Sequence, residues 1–339
     1  MGCVTLSQAA IAPLGASLSA MAMGREWLVL PAILALAGCT TAPPPEPPPP
    51  PPLVKITAAE TRLPKRGELP PLIGRAQTYR VVPKDTLLDV ARDAGIGFNE
   101  VHDANRGVDE WIPPAGSEVV VPTRWILPAG RQRGIVVNVP EMRLYMYPQR
   151  TKPGEPVTVR TWAVAIGDRD TPTPRGGFTI RSKDKNPTWY VPDSIPRSER
   201  PKRVVPPGPD NPMGEYRIRL SRGLYSIHGT DTPWAIGRET THGCIRLYPE
   251  DIGELYALVR PGMQGEFVYE PIKLGEHDGR VFVEVHEDRY KRFRSLEREA
   301  TRLVKAAKLT ARVDAELLRA AVQERAGVPV DVTRAVAAR

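Results

Sequence analysis

Apolar residues fall along this chain in short runs whose spacing changes as the chain proceeds. Tyr79-Arg80-Val81-Val82 alternates like a short strand. Asp85-Thr86 then stands as a cap before Leu87, Leu88, Val90 and Ala91 at helical spacing. A second helix is predicted from Phe98 to Ala104, ending near Asn105. Pro114-Ala115-Gly116 turns the chain, and Ser117 to Pro122 returns as a strand. The order strand, helix, helix, strand over residues 77–123 describes a small α+β unit.

From Gly134 the period shortens to that of strands. Ile135 to Val139 and Met142 to Tyr147 are apolar, β-rich runs parted by Pro140-Glu141, which predicts a hairpin; Val157 to Ile166 supplies further strand. Thr171 to Gly177 is a turn leading into Phe178-Thr179-Ile180. Only Glu250 to Val259, with Ile252, Leu255, Leu258 and Val259 on one side, reads as a helix within residues 134–270. The expectation is a mainly β domain there, a β extension over 271–288 containing the strand Val281 to His286, and a helical tail over 289–339. In that tail Leu296, Ala300, Leu303, Ala307, Val313, Leu317 and Ala320 make an apolar stripe among charges. Asn186 to Met213 is long, charged and rich in proline; a loop of that length just before a strand is expected to serve as a lid.

The N-terminal part has a different character. Arg25, the apolar stretch Trp27 to Ala37, and Leu36-Ala37-Gly38-Cys39 form the pattern of an export signal over residues 1–39, best started at Met21 or Met23. The stretch is shorter than the ~20 residues a spanning helix needs. It resembles a lipoprotein signal, with Cys39 as the lipidated residue, which implies an exported, lipid-anchored protein facing the periplasm, at the outer membrane of a Gram-negative bacterium. Nine of the ten residues from Pro43 to Pro52 are proline, a stiff polyproline II spacer of roughly 30 Å. Residues 40–76 as a whole read as linker. The net charge of +8 would suit an acidic partner, but no nucleic-acid-binding motif accompanies it; anionic lipid or a carboxylate-rich wall polymer fits an exported chain better.

Candidate chemistry sits in one stretch. There are three cysteines, Cys3, Cys39 and Cys244, and processing at Cys39 would leave Cys244 without a disulfide partner. It lies in Thr241-His242-Gly243-Cys244-Ile245-Arg246-Leu247, and His228-Gly229-Thr230 ends the strand Leu224 to Ile227. Two adjacent strand ends can bring an imidazole to a thiol; the imidazole takes the thiol proton and the thiolate attacks a carbonyl carbon. A carbonyl near Gly229 can orient the imidazole, and backbone N–H groups freed by Gly243 can face an oxyanion. Arg246, two residues beyond Cys244, shares its face and suits a substrate carboxylate. Two histidines and a cysteine are also zinc ligand types, but structural zinc sites use four ligands in tighter pairs, so neither metal nor cofactor is expected. An inert buried cysteine is the remaining alternative. His102, His277 and His286 have no evident partners and read as surface residues.

The composite of His228-Gly229-Thr230 and Thr241 to Leu247 resembles the signature of the YkuD family of L,D-transpeptidases. Gly176-Gly177-Phe178, Pro209 to Gly214 and Asp251-Ile252 resemble its enterobacterial branch. Tyr79, Val81, Asp85-Thr86-Leu87, Ala91, Asn105, Pro114, Gly116 and Val121-Pro122 resemble a LysM domain, a glycan-gripping module. The resemblance implies a YkuD-type β-sandwich preceded by that module, with Cys244 as nucleophile, His228 as base and acid, Gly229 as its orienter and His242 lining the site. Thr241, Gly243 and Arg246 would contact substrate. The implied donor is a peptidoglycan stem tetrapeptide, and the acceptor is a second stem or an outer-membrane lipoprotein. A wall-binding tether without catalysis, or a hydrolase with water as acceptor, stays open.

Overall fold

In the computed structural model the described residues are 52–335, apart from 150, 151, 153, 194, 199 and 201. The signal, Cys39 and most of the proline run lie outside them. Residues 53–76, expected as linker, instead carry two strands, β1 (Ala58–Arg62) and β2 (Leu72–Gly74). β1 pairs antiparallel along the edge of the main sheet, from Ala58 opposite Arg160 to Arg62 opposite Pro156. Its sequence, Ala-Ala-Glu-Thr-Arg, has no apolar alternation; backbone pairing at an edge leaves no hydrophobic signature to read.

The next unit has the predicted order: β3 (Gln77–Arg80), α1 (Leu87–Ala94), α2 (Phe98–Ala104) and β4 (Glu118–Val121), with β3 antiparallel to β4, followed by β5 (Arg124–Ile126). Thr86 caps α1 reciprocally with Asp89, and Gly95 ends it in the left-handed region at φ 68. This unit does not keep a core to itself. Leu87, Val90, Val101, Val119, Val121 and Trp125 share one buried cluster with Val136, Tyr145, Tyr147 and Val159 of the following domain.

That sharing explains the continuous apolar runs in β6 (Gly134–Asn138) and β7 (Arg143–Tyr147). Ile135, Val137 and Leu144 face the main core while Val136 and Tyr145 face the N-terminal unit, so both faces of this hairpin are covered. The chain continues through β8 (Pro156–Ala163), β9 (Ile166–Gly167) and β10 (Gly176–Lys185) to a small hairpin, β11 (Trp189–Tyr190) with β12 (Val204–Val205). There follow β13 (Tyr216–Leu220), β14 (Ser226–His228), β15 (Glu239–Thr241), β16 (Ile245–Arg246), α3 (Pro249–Leu258) and β17 (Gln264–Val268).

Nine strands form one sheet in the order β1-β8-β7-β6-β17-β10-β13-β14-β16. β10 is the corner. Gly176 to Thr179 pair with β17, Ile180 to Lys185 pair with β13, and the register is irregular between Ile180 and Ser182. The two leaves on either side of it enclose a common core containing Trp162, Phe178, Ile218, Ile227, Ile245, Ile252, Leu255 and Phe267, the two-layer arrangement of a β-sandwich. The domain is mainly β.

The C-terminal residues build a third cluster. β18 (Ile272–His277) and β19 (Arg280–Val285) form a hairpin, and the tail is not purely helical: α4 (Leu296–Ala306) and α5 (Ala315–Glu324) are followed by β20 (Val330–Asp331), which pairs with β19. The apolar stripe holds only in part: Ala300 and Val313 are buried, and Leu296, Leu303 and Ala307 partly so, against Leu274, Val281 and Val283. Leu317 and Ala320 are exposed, and α5 buries Leu318, Ala321 and Val322 instead, because the break between the two helices resets the helical phase. Ser295 and Asp314 cap the two helices. All these residues belong to one compact unit, Pro49–Arg339, and no described helix is long and apolar enough to cross a membrane.

Candidate active site

β14 and β16 run parallel with Ile227 opposite Ile245 and His228 opposite Arg246; β13 lies on the other side of β14 with Arg217 opposite His228. Ile227, Ile245 and Ile218 point into the core. The alternate residues therefore point the other way, and Arg217, Ser226, His228, Cys244 and Arg246 all line one cavity of about 300 Å³. The sequence brought His228 and Cys244 together only by inference from two strand ends; the parallel pairing is the structure that does it.

The Cys244 thiol lies 3.7 Å from the Ser226 hydroxyl and 3.9 Å from the Leu224 carbonyl. His228 is 1% exposed, and its Nδ1 donates to the Gly229 carbonyl at 2.7 Å. That bond fixes the tautomer, leaving Nε2 with its lone pair as proton acceptor. Burial, then the nearby Arg246 charge, push the imidazole from 6.5 down to about 3, with the Gly229 and Pro212 carbonyls opposing. The resting imidazole is neutral and ready to take a proton.

Glycines carry the local geometry. Gly243 has φ 92, and a Cβ there would meet the Tyr225 ring at 2.4 Å. Gly229 lies against Gly214 and Ile252, where a Cβ would come within 3.2 Å of Ile252 Cγ2. The Gly243 N–H is occupied: it donates to Thr241 Oγ1 at 3.1 Å, and that hydroxyl donates in turn to the Cys244 carbonyl at 2.6 Å. Thr241 thus holds the turn, and Cys244's own N–H has no hydrogen bond among the described residues. Buried Thr173 braces the turn from behind by donating to the Gly243 carbonyl at 3.1 Å. Sequence reasoning passed over Thr173, and it also missed Ser226 and Arg217.

His242 is exposed at the rim, its Nδ1 3.4 Å from the Thr171 hydroxyl. The segment expected as a lid lends residues to the cavity lining. Trp189, Val191, Ile195 and Met213 make their own apolar cluster, while Asn211 Nδ2 donates to the carbonyls of Pro187, Val205 and Pro206. Trp189, Tyr190, Pro192, Ile195 and Met213 form the apolar wall of the cavity.

Arg217 and Arg246 have no hydrogen bond or ion pair among the described residues, and the Nε of each is buried without a partner. Among the described residues no Asp or Glu lines the cavity. Burial lowers both guanidinium pKa values.

Of the other histidines, His286 is a correction. It is 2% exposed, with Nε2 2.7 Å from Glu284 Oε1. The alternation Val-Glu-Val-His reads as a solvent face, but that face meets the neighbouring module. His102 and His277 lie beside Asp103 and Asp278 at 3.2 and 3.4 Å. Glu141, Glu284 and His286 are the one group among the described residues spaced closely enough to hold a metal. The Lys273 ammonium already bridges the two carboxylates at 2.9 and 2.7 Å.

Residues 132–273 match the family model of the YkuD L,D-transpeptidase catalytic domain. The chain is similar to three proteins of Escherichia coli (strain K12). With "Probable L,D-transpeptidase ErfK/SrfK" it shares 36% identity over 81% of this chain and 93% of the relative. With "Probable L,D-transpeptidase YcfS" the figures are 36%, 78% and 88%, and with "Probable L,D-transpeptidase YbiS" 34%, 76% and 88%. The Cys244–His228 cavity falls inside the matched domain, and these relatives extend the likeness well beyond it: the chain belongs to the YkuD family of L,D-transpeptidases.

Proposed function

We propose that this enzyme, a transpeptidase acting on peptidoglycan peptides, works through a Cys244 thioester. The observation that carries the reading is that a half-buried thiol and a neutral, carbonyl-oriented imidazole line one cavity at the ends of adjacent parallel strands. His228 Nε2 takes the thiol proton, and the sulfur bonds to the carbonyl carbon at the L-centre of the diamino acid in a stem tetrapeptide. The Cys244 N–H faces the oxyanion. As the tetrahedral centre collapses, the C–N bond to the terminal D-Ala breaks and His228 returns the proton to the leaving amine. An acceptor amine then attacks the thioester, gives its proton to His228 and regenerates the thiolate. The apolar lid wall limits competition from water.

The acceptor is a second stem or the lysine of an outer-membrane lipoprotein. We assign glycan gripping to the strand–helix–helix–strand unit on its likeness to a LysM domain. Exposed Trp111 and Ile112 in the loop after α2 support this; their N–H groups both donate to Asp109 Oδ1, which holds them outward. Cys39 would carry the lipid that anchors the chain at the periplasmic face.

Incubation of the purified chain with a disaccharide tetrapeptide, read by intact mass, tests the thioester. The expected result is an adduct equal to the acyl fragment with release of D-Ala, both lost in Cys244→Ala. Folded protein that yields neither would reject the reading in favour of a wall-binding tether. Product analysis then separates crosslinking from hydrolysis.

A further inference from the structure

The cavity carries two guanidiniums and, among the described residues that line it, no carboxylate. Arg217 and Arg246 stand opposite His228 on its two neighbouring strands. Both line the cavity, and neither guanidinium has a hydrogen bond or ion pair among the described residues. The acids that act on them are engaged elsewhere: Asp231, beside Arg246, accepts the Thr232 hydroxyl at 2.8 Å, and Asp184, which acts on Arg217, pairs with Arg219 at 2.7 Å. Burying a guanidinium with its Nε unsatisfied is costly, and holding two in one cavity adds repulsion. An anionic ligand removes both costs at once. Arginine, with its planar fork of donors, is the residue suited to carboxylates.

We infer that Arg217 and Arg246 form a two-point carboxylate clamp across His228, which restricts the donor to stem peptides carrying two free carboxylates around the reacting carbonyl. The inference rests on the thioester reading above and names its donor more closely. A tetrapeptide ending in diamino acid–D-Ala offers both groups. One is the terminal carboxylate on the leaving residue, a few bonds from the scissile amide. The other sits on the second centre of the diamino acid, at the far end of its side chain. Adjacent strands are about 4.8 Å apart. Arg246 is on the strand that follows Cys244 and reaches the near carboxylate. Arg217 lies two strands away, about 10 Å, and reaches the far one.

The test uses the full chain with Cys244→Ala, so that binding is read without turnover. Three tetrapeptides are titrated calorimetrically: one with both carboxylates free, one with the distal carboxylate as carboxamide, and one with the terminal carboxylate as carboxamide. Each carboxamide is expected to weaken binding about ten- to a hundredfold. Adding Arg217→Gln should abolish the distal discrimination alone, leaving the terminal one intact, and Arg217→Lys should restore part of it. Equal binding of the free and distal-carboxamide peptides to the Cys244→Ala chain would overturn the clamp with no arginine altered. So would full distal discrimination surviving Arg217→Gln. Failure of the thioester reading shows up separately, as absence of a mass adduct on the unmodified chain while the binding discrimination persists.

Discussion

Two groups of charged side chains lie deep in this chain, the joint around Lys273 and the pair flanking His228, and they are built on opposite plans. At the joint every charge has a counterpart. Lys273 bridges Glu141 and Glu284, donates to the Ile126 carbonyl at 2.7 Å, and lies beside Tyr145, whose hydroxyl donates to Glu141. Glu284 also accepts from the Ile126 N–H at 2.6 Å and pairs with His286. These residues come from β5, the β6–β7 turn, β7, β18 and β19, so the network ties all three parts of the unit together. A second pair does the same nearby: Arg143 of β7 meets Glu100 of α2 at 2.7 Å, both fully buried, with the guanidinium 4.0 Å from the Trp125 ring centre. In the cavity, by contrast, the guanidiniums are left open. The fully paired charges tie parts of the fold together, and the unpaired ones are those proposed above to take a ligand.

The sharpest way to break that comparison is Lys273→Met. It strands Glu141 and Glu284 against each other in the interior, and removing one partner of a buried pair costs about 3–5 kcal/mol. Denaturant unfolding should show that loss, with acylation by the folded fraction unchanged. A loss under about 1 kcal/mol would mean the joint is a bystander.

Acid sensitivity should separate the two regions next. His228 titrates near 3 when folded and near 6.5 when free, so between those values the unfolded chain binds the extra proton. Stability attributable to this group is full above pH 6.5 and falls as pH drops toward 3, by an amount on the order of a few kcal/mol. Burial alone would raise Glu284, but Lys273 and His286 hold it below its usual 4.5. The joint's contribution is therefore lost only at lower pH, as that carboxylate protonates. His228→Gln should flatten the stability curve between pH 4.5 and 6.5 and leave the steeper acid limb in place. An unchanged curve would show that burial does not hold the imidazole neutral.

Legibility followed the same division. The Cys244 motif was readable because a thiol, two histidines and flexible glycines were crowded into a short stretch, and the apolar runs of β6, β7, α1 and α3 marked their own burial. What failed were polar residues whose burial depends on what packs against them. Glu284 and His286 alternate with valines, as Arg217 and Arg219 do around Ile218, so all four look like solvent faces. Only the neighbouring module, or the register opposite His228, shows that three of them do not face bulk water. Arg219 is the one that fits the simple reading: it pairs with Asp184 at 2.7 Å, half exposed. β1 and β20 were invisible for a different reason, being short edge strands held by backbone pairing.

Arg246→Met tests the cavity side directly. No salt bridge is broken and a desolvated charge is removed, so unfolding free energy should hold or rise, within about 0.5 kcal/mol of the parent at the low end. Acylation kcat/KM should fall about ten- to a hundredfold as the carboxylate loses its partner. If stability drops as it does for Lys273→Met, the guanidinium is structural and the contrast between the two regions fails.

The smallest effect distinguishes alignment from chemistry. Ser226 Oγ lies 3.7 Å from Cys244 Sγ, close to the outer limit for a bond involving sulfur. Ser226 is buried on the same face as His228 and has no charge with which to stabilise a thiolate beyond a single hydroxyl dipole. His228 already supplies the proton acceptor, so the hydroxyl can add one weak hydrogen bond to the sulfur at most. Ser226→Ala should therefore slow acylation no more than about fivefold, consistent with a net hydrogen-bond contribution near 1 kcal/mol. Rates of thiol alkylation by iodoacetamide measured across pH give the independent readout. A small upward shift of the alkylation midpoint fits a hydroxyl that donates to the thiolate. A loss of a hundredfold or more would instead place Ser226 in the proton path between Cys244 and His228, and the direct transfer drawn above would have to be redrawn through it.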